Sequence, residues 1–544
     1  MRALRQRPAI VEPALLTVVL GVVAMVAYGH HVIHGGFLSD SWSLLAVYEF
    51  SPSPGPVGAV GAFLDVPVLQ PRPLYAVYLS VLHAAFGAHM GYWLAWISGL
   101  GVGMSVTIFV LLRQLNFGRL DAGLMVALLL VFPGMSAIRL WTTMAQAPLT
   151  IILVALGFLA ALRGFRSNGQ LRIAWHAISL MLFVTSVLLY EIALPVMLAS
   201  WLVYRLKVSD AQAAKRWLID CVVLIPIALA VKVGVDSPWP VRGLSDSVGH
   251  AETIATDALK LFTTVVVPLN LGHWLTMAVA CLVPAGAGLA LSRKSVVDPV
   301  RRELRWWLGT AAYGCVLVVL GYLIFVPTFE FYTPMSLGLG NRVNAVPGIG
   351  WVLILYAEIR LIATMLFDGG LGRAGLAAGV VCVCVALVGA NWLTSVWRQA
   401  DLYEQAYHEG ERTLDIVTRV LPDPAPESTI WTFGQPVEMS PGIHVFANTW
   451  EMTHSVQVRY GDPNMKSFVG YPGTGFRCAN STVSPYGHPQ YDGQDATARR
   501  YLRSRYGRTY FVNTTTGRVE RIASRAQCRR ADSSFQRSPA YPWG

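Results

Sequence analysis

Charge is scarce in this chain. Only 13% of its 544 residues are charged, 54% are hydrophobic, and the mean hydropathy is +0.48. So little charge excludes a disordered chain and an ordinary water-soluble globule, because this much apolar surface must face lipid as well as a core. Cysteine is also sparse. Seven residues exclude a disulfide-dense secreted scaffold. The net charge of +11 brings no helix or loop signature of a nucleic-acid binder with it, so nucleic acid is not an expected partner.

What the chain has instead is long apolar runs. Segments near 11–28, 91–112, 121–138, 146–163, 173–189, 192–206, 217–235, 273–291, 305–327, 347–367 and 374–391 read as about eleven membrane spans. Arg2, Arg5 and Arg7 precede the first run, yet no small-residue cleavage site follows it, so it reads as a span and not a signal peptide. Residues 1–391 are thus expected to form an all-α polytopic membrane domain, and 392–544, which hold no run of spanning length, a separate small α/β or mostly β domain.

Cations set the orientation. Arg113 and Arg119, then Arg163, Arg166 and Arg172, then Arg205, Lys207, Lys215 and Arg216, then Arg293, Lys294, Arg301, Arg302 and Arg305 fall in alternate loops, which places them and the N-terminus in the cytoplasm. An odd number of spans then exports the C-terminal domain from a cell membrane. Five cysteines (Cys221, Cys281, Cys315, Cys382, Cys384) lie in the apolar runs, where they act as small apolar residues. Cys478 and Cys528 lie in the exported part, where they form either one disulfide or two free thiols. Arginines crowd the tail from Arg499 to Arg537. That surface either meets anionic head groups or glycans or is simply solvated.

The first outer loop, 29–90, is far longer than a connection needs, and loops of that length are usually functional. It carries Asp40 and Trp42, a Pro/Gly-rich stretch, and after Pro73 about a dozen residues of helical spacing that read as an interfacial helix. A second short helix of this kind is expected over 257–269. In the exported part, the segment after Trp392 reads as an amphipathic helix ended by Pro422. STIWTFG, GIHVFANTW, HSVQVRYG and RTYFVNTTTGRVERI read as strands. Trp431, Trp450 and Tyr471 either stack on sugar rings or fill the core, and the domain has no nucleophile elbow, phosphate loop or metal spacing.

An acidic residue soon after the first span (Asp40), a downstream Arg72-Pro73-Leu74 opening a short helix, and Phe86-Gly87 before the next span together resemble the C-type superfamily of membrane glycosyltransferases. Glu191 at the outer turn after the fifth span, and Arg342 ahead of a Pro-x-Ile-Gly segment entering the tenth, add to the resemblance, which covers the membrane part. It implies a glycosyltransferase, expected to be inverting, that passes a sugar from a polyprenyl-phosphate carrier to a glycan, lipid or protein acceptor at the outer face. The reading requires no cofactor besides the polyprenyl-phosphate sugar donor and leaves a divalent metal open. Asp40 fits the general base that takes the acceptor proton. Arg342 fits the donor phosphate, Arg72 is a second candidate for that phosphate or for orienting Asp40, and Glu191, Trp42 and Tyr190 fit substrate positioning. The high Ala, Gly, Val and Arg content points to a bacterium and an envelope acceptor.

Each residue also has a plainer reading. Asp40 can cap a helix starting at Ser41, Glu191 can pair with an outer-loop arginine, Arg342 can snorkel, and Arg72 can be structural between two prolines. Arg139 and Trp141 read as interfacial anchors, and His30, His31 and His34 have no ordered metal-site spacing. The rival function is a non-enzymatic transporter of lipid or lipid-linked glycan, whose charges would lie in the middle of spans.

Overall fold

The computed structural model describes residues 8–233, 243–267, 273–292, 298–328, 331–367, 374–471, 473–487 and 500–535. Arg2, Arg5, Arg7, Arg293, Lys294, Arg499 and Arg537 lie outside these residues, as do the last residues of the segments expected over 217–235 and 257–269.

The fold is mostly helical, 72%, with a small C-terminal β region. In chain order the helices begin α1 (Pro8–His34), α2 (Asp40–Glu49), α3 (Gly55–Leu64), α4 (Pro73–Phe86), α5 (Met90–Gln114), α6 (Arg119–Val131), α7 (Ala137–Leu140), α8 (Gln146–Arg166) and α9 (Gly169–Leu189). They continue with α10 (Leu194–Leu198), α11 (Trp201–Tyr204), α12 (Asp210–Val233), α13 (Leu244–Leu261), α14 (His273–Ser292), α15 (Asp298–Leu323), α16 (Pro347–Phe367) and α17 (Ala374–Val420). The β region follows with β1 (Thr429–Phe433), β2 (Glu438–Ser440), β3 (Ile443–His444), α18 (Thr449–Tyr460), β4 (Lys466–Val469), β5 (Gly475–Cys478), β6 (Thr482–Tyr486), β7 (Ser504–Arg505), β8 (Thr509–Asn513), β9 (Arg518–Ile522) and α19 (Arg525–Phe535).

Eight helices among the described residues are long and apolar enough to cross a membrane, compatible with a multi-pass protein. Three of the eleven expected spans are not among them, and two of these are interrupted by a local cause. The run 121–138 stops at Val131, because Pro133-Gly134 opens a 3₁₀ turn (Pro133–Met135) ahead of the four-residue α7. The run 192–206 breaks into a 3₁₀ turn (Glu191–Ala193), α10 and α11, with Ser200 and Tyr204 turned onto Asp220 at 2.9 and 2.7 Å. The third, α12, is continuous to Val233, beyond which the expected run leaves the described residues, and Asp220 within it forms a buried ion pair with Arg216 at 2.7 Å.

The chain forms two compact units that are interleaved along the sequence: residues 1–33, 64–78 and 92–400 in one, and 34–63, 79–91 and 401–544 in the other. In the first unit, charge gathers where α1, α6 and α15 start and α5 and α16 finish. Glu12 meets Arg113 and Arg119 at 3.2 and 3.1 Å, and Arg360 meets Glu303 at 2.6 Å and Asp121 at 3.5 Å. The helices therefore alternate in direction. α15 and α16 approach closely because a Cβ on Gly314 would meet the Gly350 carbonyl oxygen at 2.8 Å. The segment expected as a short helix over 257–269 is the tail of the longer, amphipathic α13, closed by one π-helical turn, Phe262–Val266.

In the second unit a four-stranded sheet runs β4-β1-β8-β9. β1 is parallel to both neighbours, and all five of its residues are buried, as expected of a central strand. Trp431, Phe468, Phe476 and Phe511 pack beneath the sheet with Cys528, which is bonded to Cys478. Trp431 is thus core and not a sugar platform. HSVQVRYG, read as a strand, is helical instead. Asn448 and Glu451 form a reciprocal capping box that starts α18, and a local cap outweighs apolar alternation over so short a stretch. The amphipathic helix expected after Trp392 is the continuation of α17, without a break from the last expected span.

A buried ionic group joins the loop after α1 to α18. Ser39, held at φ 50°, donates to Glu451 Oε1 at 2.6 Å, and His444 reaches Glu451 at 3.1 Å and Glu438 at 3.2 Å. Burial disfavours the imidazolium, but the bonds to Glu438 and Glu451 more than offset it and hold His444 up at about 10. Burial likewise works against the Glu451 carboxylate, yet His444, Ser39 and Asn448 bring it below its usual range. The raised histidine contributes stability in full below pH 6.5, its ordinary value, and loses it as pH rises toward 10. The lowered carboxyl contributes above 4.5 and loses it as pH falls. Thermal unfolding of the detergent-solubilised protein should show this contribution largest between these ordinary values, and His444→Gln should remove the decline on the alkaline side.

Candidate functional site

Four of the residues expected from the sequence, Arg72, Tyr190, Glu191 and Arg342, meet in the first unit, at the end of the bundle away from Glu12 and Arg360. Glu191 opens the 3₁₀ turn that follows α9, and Arg72 precedes Pro73, the first residue of α4. The two form a bidentate pair, Nε to Oε2 and Nη2 to Oε1, both at 3.0 Å. Burial opposes the Arg72 charge, and Glu191 overcomes it, so the guanidinium is held more firmly protonated than usual. Its face covers the Tyr190 ring at 4.6 Å. Burial raises the Tyr190 hydroxyl, against the pull of Arg72 and Arg342, so this ring stays neutral beneath the cation.

Arg342 is arranged differently. Its guanidinium stacks against Trp141 at 5.0 Å and Tyr332 at 5.5 Å, and it makes no ion pair with a carboxylate among the described residues. The residue is half-buried, in a 3₁₀ turn (Leu339–Asn344) entered through Gly338 at φ 78°, a conformation glycine adopts without strain.

Side-chain amides fix that turn. Asn341 accepts from the Ala137 N–H at 2.9 Å and donates to Ser136 Oγ at 2.9 Å and to the Pro133 carbonyl at 3.2 Å. Asn344 donates to the Gly134 and Met335 carbonyls at 2.6 and 2.8 Å and accepts from Tyr322 at 2.8 Å. Gln399 donates to the Pro133 and Ser336 carbonyls at 3.3 and 3.2 Å and accepts from Ser136. The break at Pro133 and the Arg342 turn are thereby bound together, and Trp141 is delivered under the cation. Satisfied networks of this kind fix one geometry.

Arg139 and Trp141 are therefore not interfacial anchors. Trp141 is 1% exposed, and Arg139 is fully buried, donating to the Leu129 carbonyl at 2.7 Å.

Asp40 and Trp42 belong to the second unit. Asp40 is the first residue of α2, where a carboxylate suits the positive end of the helix. Ser39, not Asp40, occupies the capping position. Trp450 of α18, 44% exposed, donates its indole N–H to Asp40 Oδ1 at 3.1 Å, and one turn on Ser43 meets His454 Nδ1 at 2.8 Å. Trp42 is 5% exposed and packs edge-on against Phe37. Among the described residues no group of three or more His, Cys, Asp or Glu side chains is arranged to hold a metal ion.

Tyr332, Asn341, Asn344 and Gln399 were not singled out from the sequence, whereas Trp141 was read as an interfacial anchor and Trp450 as either a sugar-stacking or a core residue. Only the Asn341-Arg342 and Asn344 neighbourhood offered a signal, polar amides inside an otherwise apolar approach to a span. No protein-family model matches the chain, and no curated protein matches it.

Proposed function

We propose that the protein is a membrane glycosyltransferase of the C-type kind, passing a sugar from a polyprenyl-phosphate donor to an envelope glycan, lipid or protein acceptor at the outer face. The observation that carries this reading is Arg342, a half-buried guanidinium on two aromatic rings, lacking a carboxylate partner among the described residues and held by three buried amides. A fixed cation beside apolar helices, with no carboxylate partner among the described residues, suits the phosphate of a lipid carrier. In this reading the acceptor oxygen attacks the anomeric carbon as its bond to the phosphate oxygen breaks. The phosphate leaves with the electron pair, Asp40 takes the acceptor proton, and the anomeric configuration inverts. Arg72 has its Nε and Nη2 committed to Glu191, so it shapes the site more than it binds phosphate.

The test is transfer of labelled sugar from polyprenyl-phosphate donors by membranes holding the protein, compared with membranes lacking it. Wild type is expected to transfer, and Arg342→Gln to transfer about 10²- to 10³-fold more slowly, the usual effect of losing one charge-stabilising donor. Wild-type membranes that transfer nothing from any carrier would end this reading in favour of a transporter.

A further inference from the structure

The first unit encloses an apolar cleft of about 350 Å³, walled by α5, α8, the α10–α11 segment, α15 and the start of α16 through residues such as Leu112, Phe158, Leu202, Leu317 and Leu353. Its polar side chains are few, and those along its length are already engaged. Thr310 bonds to the Trp306 carbonyl at 3.0 Å, and Tyr313 bonds to the Leu202 carbonyl at 3.1 Å. Only one end is polar, where Arg305 and Asn116 line the mouth beside Trp306. Arg305 is exposed and pairs with no carboxylate among the described residues.

Shape narrows the occupant. The lining runs along α15 from Arg305 to Leu320, about 22 Å at 1.5 Å per residue. So small a volume over that length admits a single hydrocarbon chain. A water-soluble ligand would find nothing to hydrogen-bond inside, and apolar helices surround the cleft, so the occupant comes from the bilayer.

We propose that this cleft holds one acyl chain of an anionic phospholipid whose phosphate sits on Arg305. The site is distinct from the one at Arg342, because Arg305 lies in the first turns of α15 whereas Arg342 follows the far end of that helix. In the orientation expected from the cation pattern, Arg305 faces the cytoplasmic leaflet, where anionic lipids collect and basic pockets between helices bind their head groups. The inference does not depend on the transferase reading.

Gly309 supplies the decisive variant. It lines the cleft, nothing lies within 4 Å of the Cβ it would carry, and a leucine in mid-helix favours the helix. Full-length protein would be purified in mild detergent from nanodiscs of equal phosphatidylglycerol and phosphatidylcholine, and its retained lipid read by mass spectrometry. Wild type is expected to keep phosphatidylglycerol selectively, Gly309→Leu to keep about fivefold less lipid, and Arg305→Gln to keep lipid without headgroup preference. Thermal unfolding checks that Gly309→Leu is folded, and if it is not, the Arg305→Gln comparison decides. Equal retention by folded Gly309→Leu, an unchanged preference in Arg305→Gln, or polyprenyl phosphate as the species retained from native membranes would each overturn the proposal.

Discussion

Asp40→Asn is expected to lower sugar transfer by about 10²- to 10⁴-fold, the range for losing a general base, while donor binding and thermal unfolding stay close to wild type. The substitution separates chemistry from structure because asparagine keeps an oxygen that can accept from the Trp450 indole, which lies 3.1 Å from the carboxylate. It keeps the side-chain shape at the start of α2 and removes the negative charge. Trp450→Phe should cost about tenfold, the effect of one hydrogen bond to a charged group worth about 1.5 kcal/mol. The loss should fall on kcat and not on KM. In the Asp40→Asn background the same change should do little more, because the base it orients is gone. Normal transfer by Asp40→Asn would leave Asp40 as no more than a favourable first-turn acid on α2.

The architecture could be read from the sequence wherever a single period ran unbroken. Long apolar runs became the candidate spans, and RTYFVNTTTGRVERI became the β8–β9 hairpin. Reading failed where a few residues overrode a pattern. Pro133-Gly134 cut one apolar run, Ser200 and Tyr204 turned another onto a buried aspartate, and the Asn448–Glu451 box made a helix of an alternating stretch. At the candidate site, Arg72, Glu191 and Arg342 were marked by the resemblance to the C-type membrane glycosyltransferases. What surrounds each of them could not be read, because it arrives from elsewhere in the chain. Asn341 is bonded to Pro133 across 208 residues, and Trp450 reaches Asp40 across 410. No local spacing encodes such contacts.

Glu191→Ala should destabilise the protein by about 3 kcal/mol, the low end for breaking a buried ion pair, because 24% of the Arg72 side chain and 14% of Glu191 remain exposed. The cost comes from what is left behind. Arg72 would keep its charge over the Tyr190 ring with both Nε and Nη2 unpaired, and a ring quadrupole offsets only part of that desolvation. Arg72→Met should cost a similar amount by taking the bidentate partner from the Glu191 carboxylate. The double variant Arg72→Met, Glu191→Met should recover most of the loss, since two apolar side chains of similar length leave no uncompensated charge. Unfolding of the four proteins in one detergent closes the cycle. Additive costs would mean that the two groups stand independently and that the 3.0 Å geometry carries no energy. A restored double variant that still transfers sugar would make the pair a scaffold, whereas one that is stable and inactive would show that the pair's charge serves the reaction itself.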